Sequence, residues 1–81
     1  MTKTEYYEKL VQRMARGIKS LRLADGMSQN KLAKKCQISL YTVQKWEQGV
    51  SSPSYPTMKW VLHCTGWTER ELLRGQRDAS T

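Results

Sequence analysis

The sequence predicts an all-α fold of five helices. Three observations lead there. Apolar residues recur at spacings of three and four, the period of one helix face. Most such runs begin at a Ser or Thr able to cap a helix and stop at a Gly able to end one. No segment alternates with period two, none repeats over about 20–50 residues, and none is of low complexity. The 81 residues, 38% of them apolar, are enough for one small domain with one core and too few for two.

The elements follow in order. Tyr7, Leu10, Val11, Met14, Ile18 and Leu21 form one stripe, so a first helix is expected from about Thr4 to Ala24, stopping at Asp25-Gly26. Its early part, Tyr7 to Met14, reads as a clamp onto helices 4 and 5 in preference to a coiled-coil seam. Ser28 then caps a short helix with Leu32, Ala33 and Cys36 facing inward. Ser39 caps a third, running from Leu40 to Gln48, with Val43 and Trp46 inward and Gly49 after its end. Val50 to Ser54 is a loop by composition. Ser54 opens a fourth helix that tolerates Pro56 in its first turn, buries Met58, Val61, Leu62 and Thr65, and ends at Gly66. Thr68 and Glu71 make a capping box for a last short helix, anchored by Leu72 and Leu73 and ending at Gly75. Residues 1–12 extend helix 1, residues 13–75 form the domain proper, and residues 76–81 are expected to fray. Trp46 and Trp67 are expected in the core. Trp60 lies one residue off the inner face and is expected to be exposed, where a dimer contact is one use for it.

The charge distribution carries more than its total of +7. Residues 1–12 balance Lys3 and Lys9 with Glu5 and Glu8. Residues 46–81 balance Lys59, Arg70, Arg74 and Arg77 with Glu47, Glu69, Glu71 and Asp78. The whole excess therefore sits in residues 13–45, where eight cations face only Asp25. Concentrated positive charge attracts a polyanion, and nucleic acid is favoured over a membrane surface or an acidic protein.

Several classes are excluded or disfavoured. No apolar run approaches the roughly 18 residues of a membrane span. The N-terminus has acidic residues and no apolar stretch of signal type, so a cytoplasmic location is expected. Cys36 and Cys64 form no CxxC and read as two reduced core thiols in preference to a single disulfide. His63 beside Cys64 cannot complete a tetrahedral metal site, so no metal or cofactor is expected. One His and no nucleophile-and-base pattern around Ser39 argue against an enzyme.

Two short helices joined by a three- or four-residue turn, in the most basic stretch, suggest a helix-turn-helix. With Gln29 as position one, Ala33 is fifth, where the helices cross closest and a small side chain is needed. Ile38, Val43 and Trp46 then plug the gap between the helices, while Ser39, Leu40, Tyr41, Gln44 and Lys45 point outward together.

Residues 18–75 resemble the Cro and phage-repressor type of helix-turn-helix, the XRE family. The matching signatures are Leu21-Arg22, Gly26–Gln29, Leu32-Ala33, Trp46–Gly49, Pro53-Ser54 and the closing G-W-T-x-x-E-L-L. The resemblance implies a five-helix, lambda-repressor-like domain with an extended N-terminal helix, its third helix lying in the DNA major groove. It places Ser39, Leu40, Tyr41, Gln44 and Lys45 at base edges, and Ser28, Gln29, Thr42 and Gln48 at phosphates. It also pairs Arg22 with Glu47, tying helix 1 to the end of helix 3. Chemically, Gln44 suits adenine, Lys45 guanine, and Leu40 or the Tyr41 ring a thymine methyl. Two positions depart from the family pattern: Gln37 stands where the turn often has Gly, and Thr65 where a large aliphatic is usual.

The implied function is a sequence-specific, double-stranded DNA-binding transcriptional regulator, a repressor acting as a homodimer on a pseudopalindromic operator. The alternative is an antitoxin of the same fold that blocks a small toxin protein and autoregulates its operon, with residues 1–12 or Trp60 offered to that partner. A non-specific basic binder is disfavoured, because electrostatics alone does not need the polar outward face of helix 3.

Overall fold

The structure, a computed structural model, describes residues 1–78. Five helices form: α1 (Lys3–Ala24), α2 (Gln29–Cys36), α3 (Leu40–Glu47), α4 (Tyr55–Thr65) and α5 (Glu69–Arg74). No strand occurs among the described residues.

Every helix starts at a hydroxyl that accepts from a backbone N–H three residues on: Thr2 from Glu5, Ser28 from Lys31, Ser39 from Thr42, Ser54 from Thr57 and Thr68 from Glu71. Thr2 starts α1 at Lys3, one residue before the expected Thr4. Gly26, Gly49, Gly66 and Gly75 take positive φ at or just past four helix ends. The fifth end, the turn after α2, is closed by Gln37 at φ 57° and ψ 43°. Gln37 therefore adopts the left-handed conformation that Gly would adopt without penalty.

The core lies where the helices converge. Leu21 of α1, Leu32 and Cys36 of α2, and Val43 of α3 are fully buried, with Trp46, Leu62, Trp67 and Leu72 around them. Burial of such a cluster is the main favourable contribution to folding, roughly 1.5–3 kcal/mol for each large side chain. α1 packs against α5 and α3, whereas α4 packs against α2. The expected clamp of α1 onto α4 and α5 is thus corrected to α3 and α5, because α2 occupies the flank of α4. Of the stripe, Met14 is buried and Leu10 packs against the core edge, while Tyr7 stays exposed. Residues 3–9 of α1 are exposed on every side, so the helix, about 33 Å long at 1.5 Å per residue, overhangs the domain.

Gly17 sets the α1–α5 spacing. A Cβ at this position would collide with the carbonyl oxygen of Leu72, so only a glycine lets the two backbones come this close. Thr65 is half-buried and does polar work: its hydroxyl donates to the Val61 carbonyl at 2.8 Å and accepts from the Trp67 N–H at 3.3 Å. It thereby finishes the last turn of α4.

Of the tail expected to fray, residues 76–81, the structure describes Gln76 to Asp78, and these make contacts with the domain. Glu71, buried, accepts from the backbone N–H groups of Thr68 and Asp78 at 3.0 and 2.8 Å and pairs with the Arg77 guanidinium at 3.1 Å. Arg77 also reaches Asp25, whose carboxylate accepts from the Trp67 indole N–H at 2.8 Å. The segment is held because it supplies the donors that this buried acid needs. Residues 79–81 lie outside the described residues.

Candidate nucleic-acid interface

The interface is built from the back outward. Val43 and Trp46 face the core and fix the rotation of α3 about its axis. At 3.6 residues per turn, Leu40, Tyr41, Gln44, Lys45 and Gln48 then share the opposite side. Tyr41 is 66% exposed and Leu40 is also exposed, while Gln44 and Lys45 are half-buried. The Lys45 ammonium lies 5.0 Å from the centre of the Tyr41 ring, one turn earlier, a cation–π contact that holds the long side chain along the outer face. No acid pairs with Lys45 among the described residues.

Ser39 stands at the head of this face, but its oxygen is already employed. It accepts from the Thr42 N–H at 3.0 Å and shares a 2.7 Å hydrogen bond with the Thr42 hydroxyl. One hydroxyl proton of the pair is left for an outside acceptor. Ser28 caps α2 in the same manner and keeps its own proton. Thr42 is half-buried to one side of the outward face, and Gln48 is exposed at its far end.

Arg22 and Glu47 anchor the arrangement. Arg22 Nε and Nη2 donate to the two carboxylate oxygens of Glu47 at 2.7 and 2.9 Å, and Nη1 donates to the Met27 carbonyl at 2.8 Å. Both side chains are more than nine-tenths buried. The hydrogen bonds to Glu47 raise the guanidinium pKa above its ordinary value, so Arg22 stays charged at any accessible pH. A buried pair joined by two parallel bonds fixes geometry in a way that a solvated pair does not. Here it locks the end of α1 and the loop before α2 to the last turn of α3. It also neutralises an acid that would otherwise face a polyanion.

Gln29 joins the same node. Its Nε2 donates to Glu47 Oε1 at 3.1 Å, and this bond uses only one of the two amide protons. The start of α2 and the end of α3 therefore share one carboxylate, an organisation that sequence reading did not contain. Further supports were equally invisible there. Gln12 of α1 donates to the Gly49 carbonyl at 3.3 Å just past α3, and the Trp60 indole donates to the Cys36 carbonyl at 2.7 Å at the end of α2. Trp60 is 43% exposed, so it meets solvent on one side while its N–H braces the turn between α2 and α3.

The basic segment divides between two surfaces. Lys31, Lys34, Lys35 and Lys45 lie on α2 and α3, all outside the core. Arg13 and Arg16 instead border a groove against α5, where Arg13 Nε donates to the Leu73 carbonyl at 2.8 Å. Charge counted along the chain therefore overstates the charge that the helix-turn-helix itself carries.

No helix among the described residues is long and apolar enough to cross a membrane. No curated protein and no solved structure matches the chain. A family model described as helix-turn-helix, of the Cro/C1 type, matches residues 18–61, just over half of the chain. The matched span covers the final turns of α1, the α2-turn-α3 unit and the first half of α4. The chain belongs to the Cro/C1-type (XRE) helix-turn-helix family of DNA-binding transcription regulators.

Proposed function

We propose that the chain is a repressor that binds a pseudopalindromic operator as a homodimer, with α3 of each copy in successive major grooves about 34 Å apart. The observation that carries this reading is the outward face of α3. Leu40, Tyr41, Gln44 and Lys45 stand together on it, Ser39 heads it, and its reverse side is fixed by Trp46 and by the Arg22–Glu47 pair. In this role Gln44 and Lys45 read purine edges, and Leu40 with the Tyr41 ring covers a thymine methyl. Ser28 and Gln29 offer their remaining protons to one phosphate at the start of α2, where the helix dipole favours an anion. Thr42 and Gln48 flank the groove and bind neighbouring phosphates. Dimerisation follows from scale, since a single domain of this size covers too little DNA for tight selective binding.

Two substitutions separate the roles. Gln29→Ala removes a phosphate contact and is expected to weaken binding to all duplexes alike. Lys45→Ala is expected to re-rank sites, losing about 1–3 kcal/mol of discrimination at one base pair. Competition anisotropy across a set of single-base operator variants reads both. If Lys45→Ala leaves the ranking of sites unchanged, α3 is not the reading helix.

A further inference from the structure

Both cysteines are free thiols, and the fold brings them together from 28 positions apart in the chain. Cys36 is the last residue of α2 and is fully buried; Cys64 lies in the last turn of α4 and is half-buried. α2 and α4 pack on each other, and Cys64 joins the apolar cluster that contains Cys36. Trp60 makes the registration specific. It sits one helical turn before Cys64, hence on the same face of α4, and its indole N–H donates to the Cys36 carbonyl at 2.7 Å. The α2–α4 packing and the Trp60 contact thus put the two cysteines on facing sides of one small cluster.

We propose that Cys36 and Cys64 are a redox-sensitive pair, oxidised by a hydroperoxide to an intramolecular disulfide that shifts the turn between α2 and α3 and weakens DNA binding. The more accessible Cys64 reacts first. Its sulfur attacks the peroxide, the O–O bond breaks, and a sulfenic acid forms with release of one water from hydrogen peroxide, or of the alcohol from an organic hydroperoxide. The Cys36 sulfur then attacks the Cys64 sulfenic sulfur, the S–O bond breaks, and the Cys36 proton leaves with the hydroxyl as water. Two thiols lose two electrons in all, and the peroxide takes them up. The order of events follows from the environments. Burial, with the neighbouring Cys64, pushes the Cys36 thiol up to about 11, so it is poor at initial attack and serves as the resolving partner.

The consequence for DNA follows from where Cys36 stands. The next residue, Gln37, carries the left-handed turn, and Ser39 two residues later caps α3. A disulfide draws its sulfurs to about 2.05 Å and fixes its dihedral angle at about 90°, and the proposal is that the end of α2 shifts toward α4 to meet that geometry. Recognition tolerates displacements of only about 0.5 Å. The DNA readout rests on α3 being the reading helix, whereas formation of the disulfide does not.

The test treats the full chain with hydrogen peroxide, then measures intact mass and binding to a selected operator duplex, with dithiothreitol as the reversal. The expected result is a monomer lighter by two hydrogens, about tenfold weaker binding, and recovery of both on reduction. Cys64→Ser is expected to keep its affinity under peroxide and to form no crosslink. Cys36→Ala is expected to stop at the sulfenic acid or beyond, an observation that stands even if its fold is less stable. Unchanged mass, or crosslinks only between chains, would overturn the proposal. So would a disulfide form that binds the operator as tightly as the reduced chain. Reduced protein that selects no site at all would instead overturn the functional reading while leaving the mass result intact.

Discussion

Arg22→Met with its rescue, Glu47→Leu, tests the buried pair most sharply. Arg22→Met preserves much of the aliphatic packing but removes three hydrogen bonds, two to Glu47 and one to Met27. Glu47, with a side chain only 4% exposed, then retains the Gln29 amide as its remaining side-chain donor. Stranding one member of a buried pair costs about 3–5 kcal/mol. At about 0.05–0.15 kcal/mol per residue, a chain of this size has roughly 4–12 kcal/mol in total. The single variant should therefore lose a large part of its stability, with Tm falling on the order of 12–40 °C. Replacing both charges by apolar groups removes the stranded acid, so Arg22→Met with Glu47→Leu should return to within about 1 kcal/mol of the parent. Urea unfolding followed by helical circular dichroism measures both, and the pair closes a double-mutant cycle. The refolded double variant should still bind DNA more weakly, because Gln29 has lost the carboxylate that orients it. A loss below about 1 kcal/mol in the single variant would place the pair among ordinary surface pairs and refute the anchoring role.

Three other outcomes follow from local geometry. Gly17→Ala forces a methyl onto the Leu72 carbonyl, so α5 must move away; a loss of more than about 2 kcal/mol is expected in the same assay, although alanine is the better helix former by roughly 1 kcal/mol. Gln37→Gly relieves a left-handed conformation worth about 1–2 kcal/mol while adding unfolded-state entropy of about 0.5–1 kcal/mol; a small net gain in Tm is expected, and a loss would mean that the Gln37 side chain stabilises the turn. The Asp78 N–H, then the Thr68 N–H, hold the Glu71 carboxyl below its ordinary value. Its contribution is thus complete above the unfolded value of about 4.3 and is lost as pH falls through the lower folded value. Acid titration of stability should show that loss below about pH 4, and Glu71→Gln should flatten it.

What could be read from the sequence was what is encoded locally. The caps Ser28, Ser39, Ser54 and Thr68 each act on an N–H three residues away, so residue type and neighbours suffice to place them. The inward face of α3 was legible for the same reason, because Val43 and Trp46 obey the helical period. The Arg22–Glu47 pairing was available only through family resemblance, since its partners lie 25 positions apart. Gln29 on Glu47, Trp60 on Cys36 and Trp67 on Asp25 had no local signature at all, spanning 18, 24 and 42 positions. Gly17 was hidden in another way. Mid-helix glycine normally counts against a helix, and only the approach of α5 shows why it is there. The contacts of Arg77 and Asp78 with Glu71 were hidden because a polar tail reads as an end that frays, and the acid it meets lies several positions away.

The central claim is that α3 reads DNA sequence and that two copies do so together. Selection of binding sites from a random duplex library, at salt near physiological, tests it most directly. The expected result is an enriched motif of two inverted halves, about one helical turn apart from centre to centre. Binding without any enriched motif, fading steeply as salt is added, would contradict it and reduce the lysines of α2 and α3 to an electrostatic anchor.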